Sequence, residues 1–245
     1  MSVVSLVTGA GSGIGRAAAV ALARERVEIV ACDIDARAAA ETAASIVSNG
    51  QRARALTLDV RDDLAVVEAL RALASEAPLA SVVHSAALFP QQSFAQTSLD
   101  ELDNVLAVNF RAAFVLAKSA AALMPSGGSL VFLTSGAGLI ESARDPFQRE
   151  FSVYGASKAA LDRWAIGVTD ELLTQGIVVT LITPGAFVRT SGTRSIKLSH
   201  AAGLVEIQSA AVGEAIAWLA HEPRAALAGA RLSAAEFRRT WGPIV

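Results

Sequence analysis

The sequence is poor in the residues that cross-link chains, hold metals or grip nucleic acid. Of 245 residues one is cysteine and three are histidine. Cys32 has no partner for an internal disulfide, and a single thiolate cannot build a cysteine-based zinc site. His84, His200 and His221 are widely spaced and form no helical ligand pair, so no metal centre is expected. Lysine and arginine total 21 against 23 acidic residues, a formal net charge of -2. Such a balance gives no basic field for a phosphate backbone and argues against nucleic acid as a partner. Long apolar runs are also missing. Arg111 and Lys118 interrupt the longest, around Leu106–Met124, which falls short of the roughly 18 apolar residues of a membrane span. Met1 to Ala10 has no basic leader ahead of its apolar residues. Neither a signal peptide nor a membrane location is expected, and the chain is read as cytoplasmic.

What is present is apolar and patterned. Hydrophobic residues make up 53% of the chain and charged residues 18%, which excludes disorder as the main state. Short β-branched runs at Val3–Val7, Val27–Cys32, Ala53–Leu58, Ser81–His84, Ser129–Thr134 and Ile177–Ile182 read as strands. Between them, Ala/Leu-rich stretches near 13–25, 36–49, 62–76, 99–124 and 153–175 read as helices. The strands are continuous apolar runs, as expected when helices cover both faces of a parallel sheet. Punctuation agrees: Asp35 is placed to cap the second helix and Asn49-Gly50 to end it. Pro125 with Gly127 and Gly128 stops the long central helix, and Pro184-Gly185 breaks the chain after the sixth strand. No repeat or linker divides the chain. The expectation is an α/β, doubly wound parallel sheet in a single domain, residues 1–245.

The first strand runs into Thr8-Gly9-Ala10-Gly11-Ser12-Gly13-Ile14-Gly15, which opens directly into a helix. Glycine lets backbone approach a pyrophosphate, and the helix N-terminus offers free N–H groups and positive dipole. In this strand-to-helix context the run predicts a dinucleotide site on a Rossmann-like sheet. Asp33 closes the second strand 18 residues past Gly15. Its carboxylate can accept from an adenosine ribose diol and would repel a 2′-phosphate. No Arg or Lys follows directly, and Ser12 holds a loop position that could have carried a cation. NAD is therefore expected rather than NADP.

Tyr154 is the sole tyrosine, and Lys158, one of three lysines, lies four residues after it. On a helix that spacing puts phenol and ammonium on one face. An adjacent ammonium favours the phenolate, so the pair makes a general acid/base for a hydroxyl proton. The alternative is a packed Tyr beside a solvated Lys.

Together, Thr-Gly-x-x-x-Gly-x-Gly at 8–15 and Tyr-x-x-x-Lys at 154–158 resemble the compact branch of the short-chain dehydrogenase/reductases, over nearly the whole chain. The resemblance implies that Ser135 polarises the substrate oxygen and that Asn109 supports a water-linked proton relay through Lys158, which also bonds the nicotinamide ribose. It implies a cofactor site made by Gly9, Ser12, Gly13, Ile14, Gly15, Asp33, Ile34, the adenine-contacting Asp59 and Val60, Ser85, Ala86, Tyr154, Lys158, Pro184, Gly185 and Thr190. The activity implied is hydride transfer between NAD and a small secondary alcohol or ketone, in a homo-oligomer, tetramer or dimer. A cofactor-binding regulator or scaffold of the same fold is the alternative, but it has no need of all four catalytic side chains.

Some positions depart from the family. The fourth strand ends His84-Ser85-Ala86-Ala87 where Asn-Asn-Ala-Gly is usual. The stretch from Ser135 to Tyr154 is longer than is common, through Glu141–Glu150, and Pro184–Thr190 carries an extra residue. The C-terminus lacks the usual Gly-Gly strand end. Phe187, Arg189, Arg194, Lys197 and His200 form a locally basic set in the segment expected to flank the substrate, suited to a carboxylate or phosphate or to a solvated lid. Phe89 and Phe94 are read as apolar wall or as core, and a mainly apolar or aromatic substrate is expected.

Overall fold

The computed structural model describes residues 2–24, 26–124, 127–145, 148–194, 196 and 205–243. In chain order the elements are β1 (Val3–Thr8), α1 (Gly13–Leu22), β2 (Val27–Asp33), α2 (Ala36–Ser48), β3 (Arg52–Thr57), α3 (Asp63–Glu76), β4 (Leu79–His84), α4 (Leu99–Leu106), α5 (Ala112–Ala121), β5 (Gly128–Leu133), α6 (Ser152–Gly167), α7 (Thr169–Leu173), β6 (Ile177–Thr183), β7 (Phe187–Val188), β8 (Glu206–Ile207), α8 (Ser209–His221) and β9 (Arg231–Ser233). Seven strands form one sheet in the order β3-β2-β1-β4-β5-β6-β9, every pairing parallel. β7 and β8 pair apart from it.

Two apolar layers hold the sheet. One joins it to α3, α5 and α6 through Leu70, Leu116, Phe132 and Leu161; the other joins it to α1, α2 and α8 through Leu22, Ile46, Val131 and Ile216. The doubly wound sheet is thus as expected. β3 differs from the apolar-run pattern because it is the edge strand. It alternates, with Arg52 and Arg54 turned toward Glu28, the charged lining that blunts a free edge.

Strand order reverses on either side of β1, so chain leaves β1 and β4 in opposite directions and opens a crevice beyond their C-terminal ends. Three features shape it. Asp35 caps α2, its side chain accepting from the backbone N–H of Arg37 and Ala38, and Asn49-Gly50 closes that helix as read from sequence. The long central helix is instead two helices around a π-helical turn at Ala107–Arg111, and it ends at Ala121. Pro125 lies outside the described residues. The stretch read as one helix over 153–175 divides at Val168 into α6 and α7.

α8 was not anticipated. It is buried at Val212, Gly213, Ala215, Ile216, Ala217, Leu219 and Ala220, so it lacks the polar stripe that marks a surface helix. Gly213 reads as a breaker but packs against α1, where a Cβ would lie 2.6 Å from the backbone of Ala17.

Candidate active site

One cavity of about 1240 Å³ opens in that crevice. Its first wall is backbone. Gly9 leaves β1 with φ +67, and a Cβ there would lie 2.7 Å from the backbone nitrogen of Ala86. A Cβ on Gly15 would run into the carbonyl oxygen of Gly9. Ser12 precedes α1 in extended conformation and gives it no side-chain cap, leaving the first-turn N–H groups to face the cavity. A bare cradle closed to side chains, at a helix N-terminus, fits a pyrophosphate.

Asp33 stands beside this cradle. Its Oδ2 accepts from Gly11 N–H at 2.8 Å and its Oδ1 from Asp35 N–H at 3.0 Å. Those bonds fix the carboxylate and leave acceptor capacity on both oxygens. The nearby cations are occupied elsewhere. Arg16 bonds Thr42 at 3.0 Å and Arg37 bonds Glu41 at 2.8 Å. Arg61 reaches the cavity but is held by Asp59 at 2.6 Å and by Asn104 at 2.7 Å. The Asp33 carboxylate, held in this way, can accept from a ribose diol.

At the ends of β1 and β4 a buried histidine and a threonine link the strand ends. His84 Nε2 donates to the Val108 carbonyl at 3.0 Å, which requires Nδ1 to accept from the Thr8 hydroxyl at 2.8 Å. Thr8 Oγ1 in turn accepts from the N–H groups of Ser85 and Ala86 at 3.3 and 3.4 Å. Burial, with the Lys158 charge behind it, pushes the imidazole down to about 3. His84 is therefore neutral and ties the glycine loop to the π turn.

The opposite wall is made of side chains. Tyr154 lies between Phe89 and Phe151, ring centroids 6.1 and 6.4 Å away. Lys158 Nζ is 5.7 Å from the centre of the phenol ring and donates to the Leu133 carbonyl at 2.8 Å. Ser135 leaves β5 facing the same cavity. Burial lifts the Tyr154 phenol, the Ser135 hydroxyl bonded to it pulls it back, and the Asp162 carboxylate lifts it further. Burial drives Lys158 down to about 8, with Asp162 opposing. Desolvation therefore dominates the phenol, and the lowering expected from the ammonium is not among the effects that act on it.

All sixteen residues expected at the cofactor line this one cavity: glycine loop and α1 start, Asp33 and Ile34 after β2, Asp59 and Val60 after β3, Ser85 and Ala86 after β4, Tyr154 and Lys158 on α6, then Pro184, Gly185 and Thr190 after β6. Gly185, at φ +75, makes the turn after β6 in the left-handed backbone that favours glycine, close against Ser233. Asn109 does not line it. Fully buried in the π turn, its amide donates to the Leu88 carbonyl at 2.8 Å and to Ser157 Oγ at 2.9 Å, and accepts from Leu88 N–H at 2.8 Å. Its side chain braces the loop after β4 against α6.

The two arginines of the basic set do not gather at the cavity. Arg189 lies over the Phe187 ring and bonds Glu206, and Arg189 and Arg194 are both exposed and off the cavity wall. Lys197 and His200 lie outside the described residues. Phe89 lines the cavity, whereas Phe94 is 88% exposed and neither wall nor core. The longer segment after β5 brings Glu141, Ser142, Asp145 and Gln148 to the mouth. Arg231 and Asp162 were not singled out from sequence. Among the described residues no group of His, Cys, Asp or Glu could hold a metal, and no helix is long and apolar enough to cross a membrane.

The family model for short chain dehydrogenase matches residues 3–200. A (3R)-3-hydroxyacyl-CoA dehydrogenase of Canis lupus familiaris is 33% identical, over 94% of this chain and 93% of its own. Versicolorin reductase stcU of Emericella nidulans is 29% identical, over 88% and 80%. A short chain dehydrogenase from Burkholderia cenocepacia J2315, solved in complex with NADP, superposes with a TM-score of 0.83 at 29% identity, covering 94% of each chain.

Proposed function

The chain belongs to the short chain dehydrogenase family of oxidoreductases, and from that premise we propose that it interconverts a secondary alcohol and a ketone with NAD, using Tyr154 as the general acid/base. The observation that carries this reading is one cavity with a side-chain-free cradle and Asp33 at one end, and Ser135, Tyr154 and Lys158 at the other. Bound nicotinamide supplies the hydride acceptor, or the donor in reverse.

In the oxidative direction Ser135 Oγ and Tyr154 Oη hold the substrate oxygen, and the phenolate takes its proton. In reverse Tyr154 donates that proton to the carbonyl oxygen. The Lys158 ammonium favours the phenolate once charge develops there. Asn109 contributes by bracing: both its amide hydrogens are already donated within the protein, so no relay through its side chain is proposed.

Asp33 supports NAD. The NADP bound by the Burkholderia relative is that protein's ligand, and here no unpaired cation stands beside Asp33 among the described cavity residues. On the substrate side the described wall is apolar, through Phe89, Leu139, Phe151, Phe187 and Val205, with Glu141 and Asp145 at the mouth. That favours an uncharged, mainly apolar substrate over the anionic thioesters named for the canine relative. Phe114 and Ile166, exposed on α5 and α6, suit a homo-oligomeric contact.

Initial rates at 340 nm over a panel of secondary alcohols and ketones, each with NAD(H) and NADP(H), test the reading. Turnover with NAD(H) in excess of NADP(H) is expected. A preference for NADP(H) overturns the role of Asp33, and activity undiminished in Tyr154→Phe overturns the mechanism.

A further inference from the structure

Beside the Ser135–Tyr154–Lys158 wall lies an ion pair that hydride transfer does not itself require, Arg231 on the cavity wall and Asp162 behind it. Asp162 follows Lys158 by four residues and Tyr154 by eight, so the three share one face of α6. Arg231 opens β9, in register with Leu181 of β6. Its Nε donates to Asp162 Oδ2 at 2.8 Å, and its terminal nitrogen donates to the Ser135 carbonyl at 2.7 Å. The side chains are only 20% and 13% exposed, and Asp162 Oδ1 is buried with no partner. Removing one partner of so enclosed a pair leaves the other charge uncompensated.

A guanidinium is suited to this geometry because its rigid fork holds two acceptors in fixed relation. One prong holds the chain at Ser135, whose hydroxyl pulls the phenol down. The other prong holds α6, which carries the phenol. We propose that Arg231 is a positioning residue that fixes the Ser135 backbone against the Tyr154/Lys158 face of α6 and neutralises the Asp162 carboxylate behind them. The proposal rests on the oxidoreductase reading for its consequence in turnover, but its geometry can be tested without a substrate.

The remaining titratable groups around Tyr154 and Lys158 are His84 of β4, buried and neutral, and Glu141 and Asp145 on the cavity wall. Neither set is touched by substitutions at Arg231 or Asp162.

Tyr154 is the only tyrosine in the chain, so protein labelled with [ζ-13C]tyrosine gives a single phenol resonance. Its position at neutral pH reports how closely the Ser135 hydroxyl approaches, and its titration reports the charge behind it. In Arg231→Gln the resonance is expected to move toward its position in Ser135→Ala. Its midpoint should rise by about one pH unit as Asp162 loses its partner. Arg231→Lys, which keeps the charge without the fork, should fall between Arg231→Gln and wild type. Asp162→Asn should lower the midpoint.

Resonance and midpoint identical to wild type in both arginine variants overturn the proposal. Should circular dichroism show Arg231→Gln unfolded, Arg231→Lys and Asp162→Asn decide by the same criteria. Absence of wild-type turnover on every alcohol and ketone would sink the oxidoreductase reading and leave the resonance result standing.

Discussion

The two ends of the cavity are made of different material. At the β1–α1 end the wall is main chain, and its shape comes from side chains that are absent at Gly9 and Gly15. At the β5–α6 end the wall is Ser135, Tyr154 and Lys158: Arg231 holds the Ser135 carbonyl, the Phe89 and Phe151 rings flank Tyr154, and the Leu133 carbonyl holds Lys158. A backbone wall fails sterically when it is altered, because nothing near it can give. A side-chain wall fails chemically while keeping its shape. Cofactor binding and turnover should therefore separate between the two ends.

The largest effect expected is at the side-chain end. Tyr154→Phe keeps the ring between Phe89 and Phe151 and removes only the hydroxyl. Turnover should fall by about 10²–10⁴, the range for loss of a general acid/base, with NADH binding unchanged by fluorescence titration. Gly15→Ala does the reverse. Its Cβ meets the Gly9 carbonyl, so NADH affinity should drop at least about tenfold, roughly 1.4 kcal/mol, alongside a lower melting temperature. If Tyr154→Phe lost NADH binding and Gly15→Ala kept it, the division of labour would be reversed.

Legibility in the sequence follows the same division. The glycine loop and the Tyr154/Lys158 pair are each local, so their spacing alone carries them. The first six strands and the cap at Asp35 were readable for that reason, as was the cavity side of Asp33. Arg231 was not, because its partners lie 69 and 96 residues away and only the β6–β9 pairing brings them together. The π turn was hidden because nothing in Ala107–Arg111 breaks helical periodicity. What marks it is the Val108 carbonyl turned to His84 across the fold. Asn109 could be picked out by resemblance, but its saturation by Leu88 and Ser157 could not. Of the basic set after β6, sequence shows the charge of Arg189 and not the Glu206 that occupies it.

His84 tests whether the two ends are independent at all, since it bonds Thr8 on one side and the π turn on the other. Its imidazole titrates at about 3 in the fold against an ordinary 6.5. Between those values the unfolded chain binds the extra proton, so stability rises with pH across that window and is lost as pH falls through it. The contribution is at most about 1.4 kcal/mol per pH unit. His84→Asn, which cannot charge, should melt at a temperature that varies less with pH between 3 and 6.5 than wild type does. Equal slopes would mean that His84 is not the acid-sensitive link.

The smallest effect separates two carboxylates only two residues apart. Asp35 caps α2 by accepting from Arg37 and Ala38 N–H at 3.0 and 3.1 Å, and it is exposed and off the cavity wall. Asp33 is on that wall. Asp35→Ala should cost about 1 kcal/mol, the usual worth of a lost cap, seen as a melting temperature about 2–4 °C lower for a chain of this size. Its NAD-to-NADP preference should stay as in wild type. Asp33→Asn should move that preference toward NADP, because the amide keeps the shape and loses the charge that repels a 2′-phosphate. It should leave α2 capped. A cofactor preference that follows Asp35 instead would place selectivity in the position of the helix rather than in the carboxylate facing the cavity, and the backbone end would then discriminate by shape alone.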